Sequence, residues 1–350
     1  MPFENLTERE KNVLFNLINY YISSADPVGS RIIANKFKMG VSSATIRNTL
    51  QDLEELGLIS QPHTSAGRIP TDLGYRVYVD KLLKPGVLTE AEKTKIKESI
   101  RQGGHGIDDI LGQTCRVLSD ITNQLGVSIA PRFEEGLLKR IELIPISDER
   151  IMAVVVVESG LARSVIIEVE TSISENVLNE VETVLNERLA GLSLGHIRDT
   201  IKERLSNLSE GGRLIKLIID SKEKIWTDGR PEDIKFAGTE NLVMQPEFAD
   251  LQKISELVKL IENSSILKDF LIKAGEEGLI ITIGQENQFS KIMNCSLVTS
   301  TYRVGNTTGT IGIVGPTRMA YDKLVSVIDY TAKTITEALS GAKDLEKGKE

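Results

Sequence analysis

The sequence has little of what secretion, membrane insertion or metal chemistry requires. Its 350 residues include two cysteines, Cys115 and Cys295, which are too few for a disulfide framework. No apolar run reaches the length of about 18 residues that a membrane-spanning helix needs, and the N-terminal MPFENLTERE lacks the apolar core of a signal peptide. The three histidines lie far apart, without Cys or His at metal-ligand spacing, and predict no metal site. We therefore expect a cytoplasmic protein without a membrane span.

Basic charge is scarce as well. The net charge is −8, and residues 1–84 carry ten Lys and Arg against nine Asp and Glu, a balance of +1 that leaves −9 for the rest. This balance excludes a protein that coats nucleic acid through general basic charge. Any DNA contact must therefore depend on the positions of a few cations, namely Arg31, Lys36, Arg47 and Arg68.

Two motifs, one of metalloproteases and one of phosphate-binding loops, are also missing. The chain has no His-Glu-x-x-His motif, and its glycine-rich run GTIGIVGPT lacks the Gly-Lys-Ser/Thr ending of a phosphate-binding loop. We therefore predict that the protein is not an enzyme and carries no cofactor.

The N-terminal region predicts three helices. Thr7-Glu8-Arg9-Glu10 is a capping box, and apolar residues at helical spacing follow until Asp26-Pro27 ends the first helix. Ser30 and Ser42 are predicted to cap the second and third helices, and Gly57 ends the third where a left-handed residue is needed. The third helix turns Ile46, Thr49, Leu50 and Leu53 inward. Its outward face carries Ser43, Ala44, Arg47, Asn48 and Gln51.

The segment after Gly57 predicts a wing. Residues 58–61 and 68–71 resemble two short paired strands, and residues 63–67 form the tip between them. A helix-turn-helix with a wing is typical of DNA-binding proteins, because the major groove of B-DNA admits one α-helix. The alternative is a protein-interaction module in which the same polar residues are only a solvated surface.

The predicted DNA-binding site contains ten residues: Arg31, Ser42, Ser43, Thr45, Arg47, Asn48, Gln51, His63, Thr64 and Arg68. Arg47, Asn48 and Gln51 are the candidates for base edges, since Asn and Gln suit adenine and Arg suits guanine. Arg31 and the hydroxyl residues at the start of the third helix are expected at phosphates. The wing residues would add a backbone or minor-groove contact, with Arg68 beside the tip.

The remainder of the chain predicts an α+β arrangement. A solvated helix at 89–102 and the break at 103–106 precede an amphipathic helix with Ile110, Leu111, Thr114, Leu118, Ile121 and Leu125 on one face. Three strand-like runs at 137–146, 150–159 and 162–170 predict an antiparallel meander. Helices are then predicted up to 274, including 247–263 and 265–274, and strands return from 279 before a last helix at 320–339. A sheet that starts near 137 and resumes near 279 indicates an insertion into one α+β domain.

Two apolar stripes mark the predicted insertion. One consists of Val177, Val181, Val184, Leu185 and Leu189, and the other of Leu214, Leu217, Ile218 and Ile225. They either meet a second copy of the chain or pack on the sheet, and the sequence leaves both alternatives open.

Two blocks of the chain resemble the HrcA family of heat-inducible transcription repressors. The N-terminal block contains VGSRIIANKF, SSATIRNTLQDLEELGLI and QPHTSAGRIPTDLGYRVYVD, and the second block is residues 283–339, beginning IGQENQFSKIMNCSLVTSTYRVGNTTGT. The chain departs from the family at residues 303–307, where a Gly-Gly-rich turn is more usual.

The resemblance implies a multidomain α+β protein, with a winged helix at 1–84, a linker helix and hinge at 85–106, and a charged tail at 342–350. A GAF-like domain at 107–169 and 241–341 would be interrupted by a dimerising domain at 170–240. It also implies a homodimeric repressor of chaperone operons that binds an inverted repeat of the CIRCE type and is kept active by the GroEL chaperonin. The alternative is a winged-helix regulator controlled by a small ligand in the GAF-like domain.

Overall fold

The computed structural model describes residues 6–64, 66–104, 106–206, 212–227, 234–250, 278–287 and 295–346, together with Ser255 and Leu271, with side chains up to residue 339. Most of the predicted helices at 247–263 and 265–274, and part of the tail predicted at 342–350, lie outside the described residues. No helix among the described residues has the length and apolar character needed to cross a membrane.

The backbone forms two compact units. The first contains Met1–Ile129, Ile234–Thr301 and Thr310–Thr334, and the second contains Ala130–Asp233, Tyr302–Gly309 and Ile335–Glu350. These boundaries differ from the predicted domains, because the meander at 138–168 belongs to the second unit together with the helices that follow it.

The N-terminal part of the first unit is a three-helix module with a short wing. Its elements are α1 (Glu8–Ser24), α2 (Ser30–Phe37), α3 (Ser43–Glu55), β1 (Ile59–Ser60), β2 (Ile69–Pro70) and α4 (Asp72–Val77), which continues as a π-helical turn to Leu82. The capping box at Thr7 and Glu10 is confirmed, and so is the Ser42 cap. The prediction for Ser30 is wrong: Gly29 is the N-cap of α2 without a side-chain bond, and Ser30 is the first helical residue.

Two helices and one strand of the first unit precede the second unit in the chain. These three elements are α5 (Glu90–Gln102), α6 (Ile107–Thr122) and β3 (Leu125–Ile129). The second unit is a sheet covered by helices. Leu125 was predicted on the helix but lies in β3, because Asn123 takes a left-handed conformation at φ 52° and ends α6. The second unit then contains β4 (Leu138–Ser147), β5 (Arg150–Val157), β6 (Ala162–Glu168), α7 (Glu175–Leu189), α8 (Leu194–Leu205), α9 (Gly212–Asp220) and α10 (Lys222–Trp226).

The chain returns to the sheet of the first unit after residue 233. The remaining elements are β7 (Ile234–Ala237), α11 (Thr239–Val243), β8 (Leu279–Ile283), β9 (Cys295–Val304), β10 (Thr307–Pro316) and α12 (Tyr321–Glu346). Five strands form one sheet in the order β7-β3-β10-β9-β8, and β4-β5-β6 form a separate antiparallel meander. The meander is confirmed, but the prediction of one sheet from 137 to 279 is wrong. The strands β4, β5 and β6 are joined by short turns and pair with one another. The strand that pairs with β10 in the other sheet is β3, which precedes the meander.

The apolar stripes of the second unit face its own sheet. Leu178, Val181, Leu185 and Leu189 of α7 are buried in one cluster with the inward residues of β4, β5 and β6. Leu214, Ile218 and Ile225 belong to the same cluster. These residues of the stripes therefore pack on the sheet, while Val177 and Leu217 are only partly buried against the same cluster.

Charged side chains fasten the winged helix to the five-stranded sheet within the first unit. Arg76 donates Nε to Glu286 Oε1 at 2.7 Å, and the carboxylate of Asp72 accepts the backbone N–H of Gln285 at 2.9 Å. The hydrogen bond that Arg76 donates to Glu286 is the main cause that raises the pKa of Arg76. Arg318 donates to the carbonyl oxygen of Ile22 at 2.7 Å. The winged-helix module is thus held both at the end of α1 and at α4.

Candidate nucleic-acid interface

Helix α3 is fixed at its start by a side-chain cap and along its length by burial. Ser42 Oγ accepts the backbone N–H of Thr45 at 3.1 Å and lies 3.0 Å from Thr45 Oγ1. The predicted inward residues Ile46, Thr49, Leu50 and Leu53 are all buried. The hydroxyl groups of Ser42 and Thr45 therefore both take part in the N-cap of α3. Either hydroxyl would have to contact a phosphate while it keeps its place in this cap.

The outward face of α3 presents a row of exposed polar side chains. Ser43, Arg47, Asn48 and Gln51 are all exposed. Their spacing places them along one side of the helix, opposite the buried residues. Gln51 Nε2 donates to Glu55 Oε1 at 3.2 Å, which holds the amide in place on the surface. The structure thus brings four of the predicted residues together on one accessible surface.

Two further cations of the module lie on α2. Arg31 is exposed, as a phosphate contact requires. Lys36 places its Nζ 4.4 Å from the centre of the Tyr20 ring, a cation–π contact with α1.

The wing is a closed loop above a short antiparallel pair. Ile59 pairs with Pro70 and Ser60 with Ile69. Gln61 Nε2 donates to the carbonyl oxygens of Thr64 and Ala66 at 3.0 and 2.9 Å, which folds the tip back on itself. His63 and Thr64 are exposed on this tip.

Arg68 stands at the base of the wing and is engaged by Glu54 of α3. Its Nε lies 2.9 Å and its Nη2 2.8 Å from the same carboxylate oxygen. Sequence reasoning missed Glu54 and Gln61. A glutamine near a turn and a glutamate at a helix end are common, and no local pattern reveals a partner 14 residues away.

One short sequence does match a catalytic motif, contrary to the expectation that the chain has no nucleophile elbow, and its serine has a structural role. Residues 191–195 match Gly-x-Ser-x-Gly, which in hydrolases marks a nucleophile between a strand and a helix. Here the segment joins helices α7 and α8, and Ser193 is the N-cap of α8, where its Oγ accepts the backbone N–H of His196 at 3.3 Å.

The two thiols are buried and unreactive. Burial raises the pKa of Cys115 and of Cys295 to about 12, so both stay protonated at neutral pH. In the part of the chain that the structure describes, no group of His, Cys, Asp and Glu could hold a metal ion.

Comparison with known proteins decides the family. Residues 5–81 match the family model described as "Winged helix-turn-helix transcription repressor, HrcA DNA-binding", and residues 108–325 match "HrcA protein C terminal domain". The chain belongs to the HrcA family. A "Heat-inducible transcription repressor HrcA" from Chlorobium phaeobacteroides is 38% identical over 97% of this chain and 100% of its own length. The repressor of the same name from Pelotomaculum thermopropionicum is 38% identical over 95% of this chain and 97% of its own length.

A solved structure supports the fold. The protein titled "Crystal structure of a hypothetical protein at 2.2 A resolution" matches with a TM-score of 0.61 at 24% identity, covering 96% of this chain and 99% of its own. Family membership confirms a heat-inducible transcription repressor with a DNA-binding winged helix followed by an α+β C-terminal domain. The module at 6–82 is therefore a DNA-binding domain, and the alternative that it is only a protein-interaction module is not supported.

Proposed function

We propose that the protein binds, as a homodimer, an inverted-repeat operator of the CIRCE type and so represses chaperone operons in the cytoplasm. The observation that carries the proposal is the exposed polar row on α3. The helix that presents this row is fixed by the Ser42 cap at its start and by the burial of its opposite face. A helix fixed in this way presents hydrogen-bonding groups to a major groove without first having to order them.

Each side chain of the row receives a role from its chemistry. Arg47, Asn48 and Gln51 contact base edges, and Ser43 and Arg31 contact phosphates and set the register. The wing tip, through His63 and Thr64, reaches the backbone or the minor groove beside the recognised bases. Few cations take part, so specificity depends on the base contacts of α3 rather than on general charge.

Two copies of the winged helix are needed to read an inverted repeat. A two-fold axis places the two α3 helices in major grooves whose centres lie about 34 Å apart, or a multiple of that distance. The second contact then adds avidity without any new kind of interaction.

The outer face of the β4-β5-β6 meander is the surface we propose for dimerisation. Met152 lies opposite Ile144 on one side and Ile166 on the other, which forms an apolar row across the sheet. Ile144 and Ile166 are 39% and 54% exposed, whereas the opposite face of the sheet is covered by helices. An ion pair of Arg140 and Glu142 lies at 3.0 Å beside this row. A copy related by a two-fold axis would therefore meet both an apolar surface and charges of both signs.

We further propose that the five-stranded sheet with its helices is the GAF-like domain of the resemblance, and that the GroEL chaperonin maintains the active state. A chain of two compact units with separate cores passes through partly folded states that expose apolar surface. Such states are natural chaperonin clients. When heat diverts the chaperonin to other clients, active repressor falls and the operons open.

Replacing Arg47 by alanine is expected to lower the affinity for the operator by roughly 1–3 kcal/mol and to reduce discrimination against other sequences. The side chain is exposed, so the fold and the dimer remain intact. Arg116→Ala, which removes an exposed arginine from α6, is the matched control and leaves binding unchanged. Mobility shifts with operator and scrambled duplexes at several salt concentrations measure both quantities. Equal affinity of Arg47→Ala and the parent protein would remove Arg47 from the interface.

A further inference from the structure

The base of the wing is joined to two other parts of the module. Val28 and Arg68 exchange both of their backbone hydrogen bonds, at 2.8 and 2.9 Å, as an isolated antiparallel bridge. The Arg68 guanidinium meets the carboxylate of Glu54 in the last turn of α3 through two nitrogens. The wing is thereby connected both to the chain before α2 and to the end of the recognition helix.

The packing at this base is close. A Cβ atom on Gly67 would lie 2.6 Å from backbone atoms of Pro27 and Val28, so no larger residue fits without moving the wing. The tip follows the base, because Gln61 closes it through the carbonyl oxygens of Thr64 and Ala66. The position of the base therefore sets where His63 and Thr64 stand relative to α3.

A carboxylate such as Glu54 is unexpected on a DNA-binding module. A bare carboxylate near phosphates repels them, and removing it would then strengthen binding. Glu54 is paired with Arg68, and the two side chains are only 32% and 22% exposed. The pair is neutral as a unit, and the guanidinium is not a free cation.

We propose that Glu54 is a positioning residue for DNA binding, which holds the wing at a fixed place beside α3 through Arg68. In this assignment Arg68 is an anchor of the wing and the tip residues make its DNA contacts. The inference rests on the proposed function, because it assumes that α3 and the wing contact the same duplex. Its effect is preorganisation: a wing already in place loses less freedom when DNA binds.

The test compares Glu54→Ala, Arg68→Ala and the double variant with the full-length protein, using an inverted-repeat duplex over a range of salt concentrations. Both single variants are expected to bind about tenfold more weakly, and the double variant no more weakly than either, because one unit is lost in all three. The salt dependence stays unchanged, since no phosphate contact is removed. Glu54→Gln, which keeps an oxygen acceptor for Arg68, retains most of the affinity. Asp52→Ala, which removes an exposed carboxylate elsewhere on α3, does not weaken binding.

Amide exchange in the DNA-free protein separates this inference from the proposed function. The N–H groups of Val28 and Arg68 are expected to exchange about tenfold faster in Glu54→Ala, whether or not the protein reads an operator. A parent protein that does not distinguish the duplexes, with this faster exchange present, would contradict the proposed function alone. Tighter binding by Glu54→Ala, a weaker salt dependence for Arg68→Ala, or unchanged exchange would overturn the positioning role.

Discussion

Ile166→Asp is expected to convert the dimer to monomers and to lower the affinity for an inverted repeat by about 100-fold or more. Ile166 is 54% exposed on the outer face of β6 and lies opposite Met152, at one end of the apolar row of the proposed interface. A carboxylate there would have to be desolvated on association, next to the same charge from the partner. The fold is expected to be retained, because the Ile166 side chain does not belong to the buried core of the second unit.

The control for this variant is Val87→Asp, the same chemical change at a residue that is 94% exposed and lies outside the sheet. Sedimentation measures the mass of both variants, and titrations with a half-site duplex and with the complete repeat separate single-site affinity from avidity. We expect Ile166→Asp to bind the half-site as the parent does. A variant that stays dimeric and binds the complete repeat normally would place the interface elsewhere.

Gly74→Ala is expected to destabilise the first unit by about 3 kcal/mol or more and to abolish DNA binding. Gly74 lies in α4, and a Cβ atom there would be 2.0 Å from the carbonyl oxygen of Leu58, which is backbone and cannot rotate away. Leu58 also accepts the N–H of Thr71 at 3.1 Å, so the displacement would disturb both ends of the wing.

Gly112→Ala provides the matched control for Gly74→Ala. Gly112 lies within α6 and has no heavy atom within 4 Å of its Cβ position, so the substitution is expected to stabilise the helix by roughly 0.5–1 kcal/mol. Trp226, the single tryptophan, lies in the second unit and reports on that unit by fluorescence, while circular dichroism follows both. An unchanged unfolding midpoint for Gly74→Ala would show that α4 can move away from Leu58 at little cost.

Local signals predicted the DNA-binding module well. The caps at Thr7 and Ser42, the helical spacing of Leu14, Leu17 and Ile18, and the left-handed Gly57 all concern residues within one or two turns of each other. The meander was predictable for the same reason, because hairpin strands pair with their neighbours in sequence.

Contacts between distant residues could not be predicted in this way. Arg76 and Glu286 are 210 residues apart, and neither side chain carries a local sign of its partner. The stripes of α7 and α9 illustrate a second limit. Burial of apolar surface has no direction, so a sequence does not tell whether a stripe meets its own sheet or another copy. The sheet of the second unit covers the buried residues of the stripes here, and its outer face is the surface that we propose for a partner.

The central claim is that this protein recognises an inverted repeat through α3 and the wing, with its activity maintained by chaperonin. A mobility shift at fixed salt tests it most directly, comparing a CIRCE-type duplex with a scrambled duplex of the same composition, each with and without GroEL. Tight binding to the repeat, weak binding to the scrambled duplex and a larger active fraction with GroEL are the predicted results. Equal weak binding to both duplexes would leave only nonspecific phosphate contact and would contradict the claim.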